Sequence, residues 1–157
     1  MAQYVQTAIG PQGATGVTES EAPCHPHKRG EIVLQLNVDR YADVLVISTG
    51  GRIDYQNAEA FRSALMPYIE NCRAGGDQVV LDLSALEYVS SAGLRVLMIA
   101  AKVSKARNGR LLAVALQPVV REIFEISRFN LVFELFDTLR DALAKISQKA
   151  SAAYQSR

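Results

Sequence analysis

Two adjacent hydroxyls, Ser90 and Ser91, sit in Tyr88-Val-Ser-Ser-Ala-Gly-Leu-Arg-Val-Leu-Met98, between a strand-like and a helix-like stretch. Three chemistries could use them: acyl transfer, helix capping or the acceptance of a phosphate. Acyl transfer needs a base beside the nucleophile, and the two histidines, His25 and His27, both lie in the polar N-terminal segment. A Ser-His pair inside the folded part is therefore excluded. The serines also lack the Gly-x-Ser-x-Gly elbow, and a Ser-Lys pair would need a buried lysine, which Lys102 and Lys105 on a polar helix face do not supply. Cys24-His25-Pro26-His27 has three ligand types without the paired spacing of a zinc site, so no metal is assigned. Gly50-Gly51 and Gly75-Gly76 do not extend into a phosphate-binding glycine motif and read as turns. Asp54, Asp82 and Glu87 read as loop carboxylates rather than an acid-base pair. No catalytic residue and no cofactor is assigned, and the chain is not read as an enzyme.

Capping and phosphate acceptance remain, and they divide the two serines between them. A serine oxygen accepts a backbone N–H from a helix's first turn, and one residue suffices for that. The other hydroxyl is then surplus at a helix N-terminus, where free amides and partial positive charge tolerate an added phosphate. Gly93 in the first turn costs up to about 1 kcal/mol of helix propensity relative to alanine. Its presence implies a close approach there, by backbone or by a partner, and the bared helix start reads as a docking surface.

The elements that must position this turn follow from periodicity. Residues 1–30 are rich in Gly, Gln, Thr, Pro and Ala without periodicity, and read as a disordered tail. Glu31–Val38 and Asp43–Ser48 read as an antiparallel pair joined at hairpin length, with Gly50-Gly51 breaking the second strand. Phe61, Leu65, Tyr68, Ile69 and Cys72 form one stripe of a helix that Pro67 should kink or split. Gln78–Leu83 is a continuous apolar run, as in a buried central strand. After the serines, Leu94, Leu97, Met98 and Ala101 form the expected inner stripe of a second helix, which Asn108-Gly109 ends. Arg110–Leu116 and Leu131–Phe136 read as strands, Pro118 opens a helix, and Thr138 caps a last helix bearing Leu139, Leu143 and Ile146. Residues 150–157 read as a fraying tail. The fold class is α/β: one domain over 31–149, with a mixed, mostly parallel sheet of about five strands and four helices.

Bulk numbers narrow the partners. Seventeen basic residues face sixteen acidic ones, so there is no positive field to condense on nucleic acid or an anionic membrane. Two cysteines in dissimilar contexts are no disulfide framework, and a reducing cytoplasm is the expected compartment. No apolar run approaches the roughly 18 residues of a membrane span, and no signal-peptide pattern opens the sequence, so neither membrane insertion nor secretion is expected.

Asp82-Leu-Ser-Ala-Leu-Glu-Tyr-Val-Ser-Ser-Ala-Gly-Leu-Arg-Val-Leu97 resembles the signature of STAS-domain anti-sigma-factor antagonists. Gly51-Arg-Ile-Asp54, followed by Ala58 and Phe61, is similar to that family's Gly-x-Leu-Asp-x-x-x-Ala segment, and the match in order and spacing covers roughly residues 31–146. The resemblance implies a STAS-like domain without catalysis of its own, and it places the phosphoacceptor two residues before the glycine, at Ser91, with Ser90 as second choice. It implies an anti-sigma-factor serine kinase that binds the unmodified domain and a PP2C-type phosphatase that restores it. Asp54, Ser90, Ser91, Ala92, Gly93, Leu94 and Arg95 are then the expected partner contacts. Ser90 stands where many members carry Asp, Ala92 where many carry a second Ser, and Arg95 where Gly is frequent. The alternative is a STAS scaffold or accessory subunit of a stressosome-like or lipid-transport complex, in which the serine serves packing or contact.

Overall fold

The computed structural model describes residues 3–4 and 34–156. Among the described residues six strands form one sheet in the order of the sequence: β1 (Gln3–Tyr4), β2 (Gln35–Tyr41), β3 (Val44–Ile53), β4 (Gln78–Val89), β5 (Leu111–Val114) and β6 (Glu134–Phe136). β1 and β2 run antiparallel to their neighbours, while β3 to β6 are parallel. The mixed α/β sheet expected from periodicity is thus present, with the dipeptide β1 as a sixth strand. Gln3–Tyr4 lies in the segment read as a disordered tail, and there it pairs with Val38 and Asn37; the rest of that reading lies outside the described residues.

Helices cover both faces. One face carries α1 (Ala58–Glu70), α2 (Ser91–Ala106) and α3 (Pro118–Ile126), whose Phe61, Leu65, Ile69, Leu97 and Phe124 bury against Ile47, Leu81, Leu83 and Ala113. The other carries α4 (Leu139–Ile146) and α5 (Gln148–Gln155), which bury Leu143 and Ala150 against Val44, Val46, Val80, Leu112 and Val114. Alternate residues of β3 and β4 feed the two cores, as the two-residue side-chain period requires. That is why Gln78–Leu83 reads as a continuous apolar run.

At several points the local structure departs from the pattern expected of the sequence. Gly50-Gly51 does not end its strand: Gly51 takes a φ of 80°, register shifts flank it, and β3 continues to Ile53. Glycine tolerates this positive φ without steric cost, so β3 runs on instead of stopping, and the extra residue at each register shift lies on β4. Pro67 neither splits nor ends α1, because it lies on the exposed side of a helix held by Phe61, Leu65 and Ile69. The buried stripe of α2 is Gly93, Val96, Leu97, Ala100 and Ser104, rotated from the expected one; Leu94, Met98 and Ala101 flank it, half-buried. Residues 148–155 form α5 rather than a frayed end, since Ala150 is fully buried and Tyr154 meets Tyr41 edge-on, centroids 5.5 Å apart. Ser147 caps that helix while its hydroxyl donates to Asp43 at 2.6 Å.

Candidate functional site

The site forms where β3 and β4 end together. An extra residue of β4 opposite Ser48–Gly50 and another opposite Gly51–Arg52 let Arg52 and Ile53 pair with Tyr88 and Val89, bringing the end of β3 level with the start of α2. The amide of Ser90 donates to the carbonyl of Ile53 at 2.7 Å, which fastens the serine turn to the end of the neighbouring strand. Above the same edge, the guanidinium of Arg52 stacks over the Tyr88 ring, 4.4 Å from its centroid.

The two serines are unequal. Ser90 is extended, with φ −82° and ψ 171°, and its Oγ accepts the amide of Gly93 at 3.3 Å. It is the cap, half-buried, with its carbonyl already accepting from Leu94. Ser91 is the first helical residue and is exposed. One hydroxyl thus anchors the helix while the next faces solvent in the first turn.

Gly93 does not lie on the outer surface. A Cβ there would come within 2.7 Å of Ile53 Cγ2 and 2.8 Å of Val89 Cγ2. The close approach inferred from this glycine is between helix and sheet, so Gly93 lets α2 sit down on the strand ends rather than baring a docking surface. Ala92 and Leu94 also turn partly inward against the core, whereas Arg95 stays exposed.

Asp54 acts on its own turn. Its Oδ1 accepts the amides of Gln56 at 2.9 Å and Asn57 at 3.1 Å. The Asn57 side chain reciprocates, accepting from the Asp54 amide at 2.8 Å and donating to the Arg52 carbonyl at 2.8 Å. This Asx turn launches α1 beside α2.

Between the two helix starts lies an open groove of about 480 Å³, lined by Tyr55, Ala58, Glu59, Arg62, Ser91, Ala92, Arg95, Val96 and Ile99. Tyr55 stands 77% exposed at its rim. The sequence pattern does not show the contribution of α1. The spacing of Glu59 and Arg62 off the Phe61–Leu65–Ile69 stripe shows only that they face outward, and nothing local shows that they face Ser91. Among the described residues no cluster of three metal-ligating side chains occurs, and no helix is long and apolar enough to cross a membrane. The Cys24-to-His27 segment lies outside the described residues.

The chain matches the STAS domain model over residues 35–142. It is 36% identical over 111 residues to BtrV of Bordetella bronchiseptica, provisionally described as an anti-sigma factor antagonist, a match covering 71% of this chain and 93% of that protein. It is 30% identical over 113 residues to RsfB of Mycobacterium tuberculosis, an anti-sigma-F factor antagonist, covering 72% of this chain and 89% of the relative. Among solved structures, the anti-sigma factor antagonist SpoIIAA in its unphosphorylated form superposes with a TM-score of 0.57 at 20% identity, covering 72% of this chain and 95% of the other. SpoIIAA has also been solved phosphorylated. Strand order, the serine turn at the end of β4 and these matches converge: the chain belongs to the STAS domain family, among relatives named anti-sigma factor antagonists.

Proposed function

We propose that this chain is a non-enzymatic anti-sigma-factor antagonist that works by partner switching in the bacterial cytoplasm. With Ser91 unmodified it binds an anti-sigma-factor serine kinase; phosphorylation of Ser91 by that kinase releases it, and a PP2C-type phosphatase restores it. The observation that carries this reading is the division of labour between the serines: Ser90 caps α2, and Ser91 is left exposed beside the groove. The names of the relatives support the role, and the two forms of SpoIIAA support a phosphorylatable member of this fold.

The physical switch needs no change of fold. A phosphoserine adds about −1.5 to −2 charges at pH 7. Seated in a packed interface, that charge must be stripped of water, and a penalty of only about 1.4 kcal/mol already weakens binding tenfold. The partner surface comprises Ser91, Ala92 and Arg95 with the outer parts of Ser90 and Leu94, while Asp54 and Gly93 act from beneath by shaping the turn and seating the helix.

The test is capture from a lysate of the native organism by Ser91→Ala and Ser91→Asp variants, with mass spectrometry of what is retained. The expected result is an ATPase-fold kinase held by the alanine form and lost by the aspartate form. Retention of one large complex by both variants would instead favour a scaffold.

A further inference from the structure

Ser91 shares its groove with two arginines, and neither has a carboxylate partner among the described residues. Arg95 lies four residues after Ser91 on α2, hence on the same helix face one turn along, and Arg62 reaches the groove from α1. The ion pairs among the described residues are Arg40–Asp77, Arg110–Glu134 and Arg121–Asp137, all elsewhere. Glu59 lines the same groove, three residues before Arg62, yet forms no ion pair with either arginine. Two cations thus face one carboxylate beside the free amides of a helix's first turn, where partial positive charge collects. Guanidinium is planar and forked, and it matches phosphate oxygens two at a time.

We infer that Arg62 and Arg95 close on a phosphoryl group carried by Ser91, so that the phosphorylated domain binds its own phosphate across the two helix starts. The inference rests on the reading of Ser91 as acceptor and deepens it. The switch is then double: modification adds negative charge and, in the same step, withdraws two cations from the surface a partner would meet. The clamp also ties α1 to α2 in the phosphorylated form alone.

The experiment installs phosphoserine at position 91 by an expanded genetic code, so that no kinase need be known, and titrates it by phosphorus NMR. Arg62→Gln, Arg95→Gln and the double variant are compared with the parent; both residues are exposed, and circular dichroism checks that each variant folds. The expected result is that each substitution raises the second phosphate pKa by about half a unit, the double variant most, as for loss of one exposed ion pair each. An unmoved pKa in the double variant overturns the clamp. So does an unmoved pKa combined with weaker partner capture by the unmodified double variant, which would assign the arginines to the interface alone. Whether Ser91 is the acceptor in the cell is read separately, by mapping phosphate on the wild-type chain, so the two readings fail by different measurements.

Discussion

The two ends of α2 use the same residue types for opposite purposes. At its start, Ser90 caps, Gly93 lies against Ile53 and Val89, and Ser91 is left over in solvent. At its end Ser104 is buried: its Oγ lies 3.2 Å from Cys72 Sγ, and that sulfur also reaches the Arg110 carbonyl at 3.2 Å. Gly109 closes this corner so tightly that a Cβ would come within 2.5 Å of the Cys72 carbonyl oxygen. The C-terminal end consumes its polar groups in the fold, whereas the N-terminal end keeps one in reserve. The difference teaches that a serine becomes available for signalling through its neighbours' bonds, not through its type.

Substitutions at the two ends should separate accordingly. The largest effect is expected from Gly109→Ala, because the new methyl meets backbone that cannot swing aside; a loss of about 2–3 kcal/mol in urea unfolding would fit overpacking against a fixed wall. A loss under about 0.5 kcal/mol would show that the corner yields. Ser90→Ala should cost about 1 kcal/mol through the lost cap, and a neutral result would move the cap to Ser91 and undo the contrast.

Cys72 sharpens the comparison through pH. Burial raises its thiol above the ordinary 9.0. The unfolded chain therefore gives up this proton first, so the thiol's contribution is whole below about pH 9 and is lost as pH rises toward the folded value, with a slope of at most about 1.4 kcal/mol per pH unit. Cys72→Ala should remove that share of the alkaline loss, read as a difference between the two unfolding curves. Identical slopes would mean that the corner is open to water. Smallest of all, Ser91→Ala should change stability by less than about 0.5 kcal/mol, as expected of an exposed residue with no structural task. A larger cost in thermal unfolding would mean that Ser91 serves the fold after all.

Alternation of strand and helix was legible because β3 and β4 are fed from both faces and α1 presents a clean apolar stripe. The Thr138 cap and Pro118 at a helix start were legible for local reasons as well: a side-chain bond to the Asp141 amide, and a residue with no amide to leave unpaired. Register within α2 was not. Its buried face uses Gly93, Ala100 and Ser104 where helix and sheet approach closely, and small residues carry little hydrophobic signal. Nor was the continuation of β3 through Gly50-Gly51, since a glycine inside a strand pattern can mark a bend as well as an end. The groove was half legible: Ser91 and Arg95 share a helix, but Arg62 joins them only through the packing of α1 on α2.

From β3 onward every strand pairs with the strand that precedes it in the chain. None of these four has to wait for a distant segment, so the entropy of each ring closure stays that of one hairpin or one crossover. Folding can therefore grow outward from the long β3–β4 pair, which carries the serine turn at its tip.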